Sequence, residues 1–180
     1  MIHDLDPNHP VGVCNAGYAI LPYLKKYASK IQFVGMNAYM GYFGFGTLWG
    51  RIKNTFDRPI LITEYGVDCY DQNKQEVNEA YQALYHLKNW NDIVQNSFGM
   101  QGKGNAIGGV AYNWIDRWWL CGDWKEHDTD LGSWKGPSLD GWMNDEWLGF
   151  VSQGDGSDSP FYREPRMVYD AIKRAWRRNQ

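Results

Sequence analysis

Glu64 carries the clearest chemical signal in the sequence. It follows Pro59-Ile60-Leu61-Ile62-Thr63, a β-rich apolar run, and precedes Tyr65-Gly66-Val67-Asp68. A carboxylate closing a buried strand has two readings. It can pair with an arginine or cap the next helix, or it can face a cleft as a nucleophile or general base. Gly66 permits the tight turn that would expose such a group. Other apolar runs also end in polar or aromatic residues: Asn15, then Asn37 and Tyr39, then Trp114 and Asp116. In parallel β/α folds the C-terminal edge of the sheet is where ligands and catalytic groups gather.

The elements that must position these residues follow from periodicity. Val11–Asn15 reads as a buried strand. Pro22 suits the first turn of a helix, with Leu21, Leu24, Tyr27 and Ala28 on its stripe to Lys30. Ile31–Tyr39 is a second strand, and Leu48, Ile52 and Phe56, four apart, mark a second helix. Ile60–Glu64 is the third strand. Asn73–Trp90 predicts a helix with Val77, Ala80, Ala83 and Leu87 on one face. After a break at Gly99–Gly104, Ala106–Trp114 is a fourth strand. Residues 117–160 are aromatic, rich in Gly and Asp, and nearly aperiodic. Pro165–Arg177 predicts a closing amphipathic helix through Val168, Ile172 and Trp176. Strands alternating with helices predict about four parallel β/α units, each strand apolar enough to be covered on both faces. A closed eight-stranded barrel needs roughly 250 residues, more than the 180 of this chain.

Composition bounds the function. The net charge of −3 leaves no electrostatic footprint for nucleic acid. No apolar window is long enough to span a membrane. The first residues lack a basic and an apolar region, so no signal peptide is expected in this chain, and localisation is not indicated. Cys14, Cys69 and Cys121 have no metal-ligand spacing and predict mostly free thiols, with at most one disulfide. Asp123, Glu126, His127, Asp128 and Asp130 could hold a cation or form a solvated acidic loop; neither a structural metal nor a cofactor is expected. Aromatic residues make up 16% of the chain, and seven of the ten tryptophans lie between Trp114 and Trp147. They fit either a surface for sugars or a Trp-rich core.

The segment Pro59–Gly66 resembles the seventh-strand motif of clan A retaining glycoside hydrolases, closest to glycoside hydrolase family 2. Other segments agree in order. Asp4-Leu5-Asp6-Pro7 with His9-Pro10-Val11 resembles the approach to strand five. Phe33-Val34-Gly35-Met36-Asn37-Ala38-Tyr39 resembles strand six, and Gly108–Asp116 resembles strand eight. Asp145–Gly154 and Ser159–Arg166 are similar to the tail of such a domain. The resemblance covers nearly the whole chain. It implies residues 1–180 as the C-terminal half of a (β/α)8 TIM barrel, strands five to eight. It implies Glu64 as the nucleophile that forms a covalent glycosyl ester, and Tyr39 as its hydrogen-bond donor. It also implies Trp114 as the floor of a sugar subsite, with Asn37 and Asp116 on sugar hydroxyls. Retaining chemistry needs a second carboxylate as acid/base. In the family it follows an Asn at the end of strand four, and no such Asn-Glu pair precedes Glu64 here. The expected partners are therefore a carbohydrate and a missing N-terminal half-barrel or a second copy of the chain. The alternatives are a non-catalytic carbohydrate-binding or structural half-barrel module, and an α/β protein whose Glu64 is only structural.

Overall fold

The computed structural model describes residues 2–120, 122–123, 125–129, 134–154 and 162–178, with only the backbone described for His3, Trp134 and Arg178. In chain order the elements are α1 (Ile2–Leu5), β1 (Gly12–Asn15), α2 (Leu21–Tyr27), β2 (Phe33–Asn37), α3 (Leu48–Thr55), β3 (Ile60–Tyr65), β4 (Tyr70–Asp71), β5 (Glu76–Val77), α4 (Glu79–Gln95), β6 (Ala106–Ala111), β7 (Trp134–Lys135), β8 (Trp142–Met143), β9 (Val151–Ser152), β10 (Glu164–Pro165) and α5 (Met167–Arg178). The chain divides into two compact units. The first comprises residues 1–38, 44–65 and 90–110; the second comprises 39–43, 66–89 and 111–180.

The first unit is built on a four-stranded sheet in the order β1-β2-β3-β6. The β1–β2 and β2–β3 pairs are parallel, and their registers place Cys14 beside Gly35 and Gly35 beside Leu61. Side chains alternate across a strand. Val34 and Met36 on β2 and Ile60 and Ile62 on β3 therefore share one face, and all four are buried. Leu21 and Leu24 of α2 and Leu48, Trp49 and Ile52 of α3 are buried with them, which gives the unit its core. Asp92 ties the entry to α3: its Oδ2 accepts hydrogen bonds from Phe45 N (2.8 Å) and Trp49 Nε1 (2.9 Å). The order of strands and helices matches the expected β/α alternation. The sheet is open, with β1 and β6 at its edges.

The second unit holds three two-stranded antiparallel ribbons, β4–β5, β7–β8 and β9–β10, together with α5. Two expectations change here. Helix α4 begins at Glu79 rather than Asn73, because Tyr70–Val77 forms a hairpin instead. Gln75 adopts a left-handed φ of 56° at its turn, and Asp71 Oδ1 accepts Lys74 N (3.1 Å). Asn78 then caps the helix, its Oδ1 accepting Tyr81 N (3.0 Å). The aperiodic stretch 117–160 is not a plain loop. Among its described residues are the β7–β8 hairpin, a 3₁₀ turn over Asp145–Trp147 and β9. Its core is partly polar: Asp68, Gln82, His86, Asp116, Asn144, Glu146 and Arg166 are buried beside Tyr85, Met143, Leu148, Val168 and Ile172. Polar residues buried at hydrogen-bonding positions do not produce a periodic apolar pattern, so this part of the fold leaves little trace in sequence periodicity. Among the described residues no helix is long and apolar enough to cross a membrane.

Candidate active site at the end of the third strand

Strands β2 and β3 run in register until Met36, which pairs with Ile62. The next pair is Asn37 with Glu64, so Thr63 is an extra residue on β3. Such a bulge re-aims the side chains around it. Its result is a direct contact between two residues singled out from the sequence. Asn37 Nδ2 donates to Glu64 Oε1 at 2.6 Å. The ladder continues past them, with Ala38 N donating to the Glu64 carbonyl (2.8 Å). Asn37 and Glu64 are both half-buried, which leaves the carboxylate within reach of a ligand at the C-terminal edge of the sheet.

Asn37 was expected on sugar hydroxyls. In the structure its amide serves Glu64 on one side and is itself held on the other. Its Oδ1 accepts from Thr63 Oγ1 (2.7 Å) and from Cys14 Sγ (3.2 Å). Neither Thr63 nor Cys14 is conspicuous in the sequence. Only their alternation with buried Ile62 and half-buried Val13 marks them as sharing the opposite face of the sheet. Cys14 and Cys69 are free thiols, exposed and buried respectively; Cys121 lies outside the described residues.

The other expected site residues belong to the second unit. Tyr39 is half-buried at the start of its first segment. Trp114 is 60% exposed, so it is not a core residue. Its ring meets Tyr169 of α5 edge-on at 5.9 Å. The tryptophans divide between interior and surface: Trp49 and Trp118 are buried, while Trp114 and Trp119 present most of their surface to solvent.

Asp116 corrects the sequence reading. It is fully buried, and neither carboxylate oxygen is available to a sugar. Arg166 donates to both, Nη1 to Oδ1 and Nη2 to Oδ2, each at 2.6 Å. Gly149 N donates to Oδ1 at 2.9 Å, and His127 Nε2 lies 3.0 Å from Oδ2. A carboxylate this enclosed is a structural anchor. The same geometry removes His127 from both readings of the acidic stretch. Its side chain is buried against Asp116 and stacked on Trp147, with ring centroids 3.9 Å apart. Burial holds the His127 imidazole below its usual range, although Asp116 pulls it upward. Asp130 lies outside the described residues. Among the described residues no group of three potential ligands could hold a metal ion.

Asp68, four residues beyond Glu64, is also buried. Burial pushes its carboxyl up to about 7, against hydrogen bonds from Ser138 and Asn144 that pull it down, while Asp140 adds to the rise. Ser138 Oγ donates to its Oδ1, and Asn144 N and Nδ2 donate to Oδ2 (3.0 and 3.3 Å).

Solved structures share this arrangement of elements. The chain is similar to a β-glucuronidase from an uncultured Clostridium sp., with a TM-score of 0.55 and 19% identity over 98% of this chain and 28% of that one. It is similar to a Bacteroides uniformis β-glucuronidase, with a TM-score of 0.57 and 19% identity over 99% of this chain and 19% of that one. A third, the β-D-glucuronidase of Dictyoglomus thermophilum, gives a TM-score of 0.54 and 14% identity over 97% of this chain and 27% of that one. The chain shares their fold. It spans between 19% and 28% of their length. No protein-family model matches the chain, and no curated relative does.

Proposed function

We propose that this chain forms strands five to eight of a (β/α)8 barrel and supplies the nucleophile of a retaining glycoside hydrolase. The observation that carries the reading is the 2.6 Å hydrogen bond from Asn37 Nδ2 to Glu64 Oε1 at the C-terminal edge of the sheet. It gives the strand-end carboxylate a fixed orientation and a hydrogen-bond donor. The sequence around Glu64 supports the same role, as does the fold shared with β-glucuronidase structures.

In this reading the ionised Glu64 attacks the anomeric carbon. The bond to the leaving oxygen breaks, and that oxygen takes a proton from a general acid. Water then attacks the glycosyl ester, gives its proton to the same group as base, and frees Glu64. Tyr39 is the proposed second donor to the nucleophile, and Trp114 the proposed stacking surface for the sugar. The acid/base comes from strands outside this chain, which also pair with the edges of the sheet. The substrate is a carbohydrate, and the neighbours' names make a β-glucuronide the first sugar to try.

The test is covalent capture. The chain is incubated with a 2-deoxy-2-fluoro glycoside bearing a fluoride or dinitrophenyl leaving group. Intact-mass spectrometry is expected to show one glycosyl adduct, mapped to the peptide containing Glu64 and lost in Glu64→Gln. An adduct that persists in Glu64→Gln rejects the assignment. Tight sugar binding with no adduct moves the function to a non-catalytic carbohydrate-binding module.

A further inference from the structure

We propose that Thr63, assisted by Cys14, is a positioning residue that locks the Asn37 amide so that its NH2 faces Glu64. The inference rests on the reading of Glu64 as the nucleophile.

An asparagine amide has two faces of nearly equal shape, one accepting and one donating. A 180° turn about its last bond would place Oδ1 where Nδ2 now lies, 2.6 Å from Glu64 Oε1. Two acceptors would then oppose each other, and the carboxylate would lose a donor. The acceptor-only carboxylate sets which way the amide faces, and the hydrogen bonds on its far side hold it there. Thr63 Oγ1 donates to Asn37 Oδ1 at 2.7 Å, and Cys14 Sγ donates to the same oxygen at 3.2 Å. Cys14 Sγ and Thr63 Oγ1 are also 2.9 Å apart. With the amide turned, the Thr63 hydroxyl would have to give up donating and accept instead, and the thiol is only a weak acceptor.

The backbone makes this cluster possible in two ways. The bulge places Thr63 one step ahead of Glu64, so that both side chains reach Asn37. Gly35 lies on the strand between Cys14 and Thr63 and has no side chain to separate them. A Cβ at Gly35 would stand 2.9 Å from Thr63 Cγ2 and 3.1 Å from the Cys14 Cα. Two side chains from strands that do not pair with each other therefore meet over the intervening glycine. Thr63 is the stronger of the two, since a hydroxyl donates better than a thiol.

The experiment reads the amide itself. The full chain is labelled with [15N]asparagine and observed in solution or, for a sedimented assembly, by magic-angle spinning. The Asn37 side-chain signal is identified by its loss in Asn37→Leu. In Thr63→Val, which keeps the shape and removes the hydroxyl, hydrogen exchange of the Asn37 NH2 protons is expected to accelerate about five- to tenfold, the worth of one hydrogen bond. Thr63→Ser is expected to restore the wild-type rate, and Cys14→Ala to give a smaller acceleration. Backbone spectra report whether each variant folds; Thr63→Ala replaces Thr63→Val where the latter does not. Wild-type exchange in a folded variant without the hydroxyl overturns the proposal. No sugar enters this measurement. A chain that forms no glycosyl adduct therefore leaves the positioning role standing, while unchanged exchange removes it even where Glu64 is glycosylated.

Discussion

Asp116 and Arg166, fifty positions apart in sequence, form a two-pronged ion pair within the second unit, and both side chains are fully enclosed. Arg166 stands just before α5, and its Nη1 also donates to the Gly149 carbonyl at 2.9 Å. One guanidinium thus joins the segment after β6, the turn before β9 and the approach to the last helix. Breaking a buried pair by removing one partner leaves a charge without compensation.

Arg166→Met is therefore expected to destabilise the chain by about 3–5 kcal/mol. Arg166→Lys should recover only part of that loss, because an ammonium cannot reach both oxygens in a planar fork. Denaturant unfolding followed by tryptophan fluorescence measures both variants. A loss within about 1 kcal/mol, the range of an exposed pair, would show that Asp116 is not anchored as described.

The Asp68 carboxyl gives a pH dependence of known sign. Its pKa is about 7 in the folded chain against the usual 3.8, so the folded state holds the proton more tightly than the unfolded one. Its contribution to stability is fully present below pH 3.8 and is lost as pH rises towards and through 7. Two histidines act in the opposite sense. Burial lowers His86 to about 3 and also depresses His127, so each stabilises the fold above pH 6.5, and that contribution is lost as pH falls below it. Melting temperature measured from pH 4 to pH 8 sums all of these. The difference between wild type and Asp68→Asn isolates Asp68, and is expected to move in favour of the variant as pH rises. A flat difference across that window would refute the assignment.

The sheet was legible in the sequence because its strands are apolar runs with clear stops. Ile60–Glu64 is nearly the observed β3, and Ile31–Tyr39 contains β2. The juxtaposition of Asn37 and Glu64 was not legible. It depends on a bulge that puts Thr63 out of register, and nothing in the side-chain types marks that slip. Asp116 misled for a related reason. A polar residue after an apolar strand can face a ligand or anchor a buried charge, and the partner that decides, Arg166, lies fifty residues away in a stretch whose periodicity predicts only an amphipathic helix. The second unit was the least legible part, because its interior is satisfied by hydrogen bonds to residues such as Gln82, whose Nε2 donates to the carbonyls of Val67 and Gly149 (3.3 and 3.2 Å).

Open edges predict behaviour in solution. Strands β1 and β6 border the sheet, and Ile107 and Val110 on β6 are more than half exposed. Unpaired strand edges with apolar side chains recruit other chains. The isolated chain is expected to self-associate or to be poorly soluble. Sedimentation velocity over a range of concentrations tests this. A clean monomer with one sharp thermal transition would mean that the sheet needs no complement, and would count against the half-barrel.

The final prediction separates chemistry that this chain can perform from chemistry that it cannot. General acid assistance contributes typically about 10²–10⁴-fold. It matters most when the leaving group is a poor one, such as a second sugar, and least when a dinitrophenolate departs without needing a proton. In the proposed reading Glu64, held by Asn37, is the group that attacks in either case. The chain alone is therefore expected to be glycosylated slowly by an activated aryl glycoside and to leave an unactivated disaccharide intact. In the half-barrel reading, adding strands one to four should raise the disaccharide rate by far more than the aryl rate. Product analysis on both substrates, with Glu64→Gln as the control, reads the contrast. Brisk turnover of the disaccharide by the chain alone would show that an acid is already present. Asp116 could not be that acid, since Arg166 and His127 enclose it, and Glu146 is buried with its Oε2 on the Asp128 amide (2.7 Å). The search for the acid would then turn to carboxylates with open access, and the half-site account of this chain would fall.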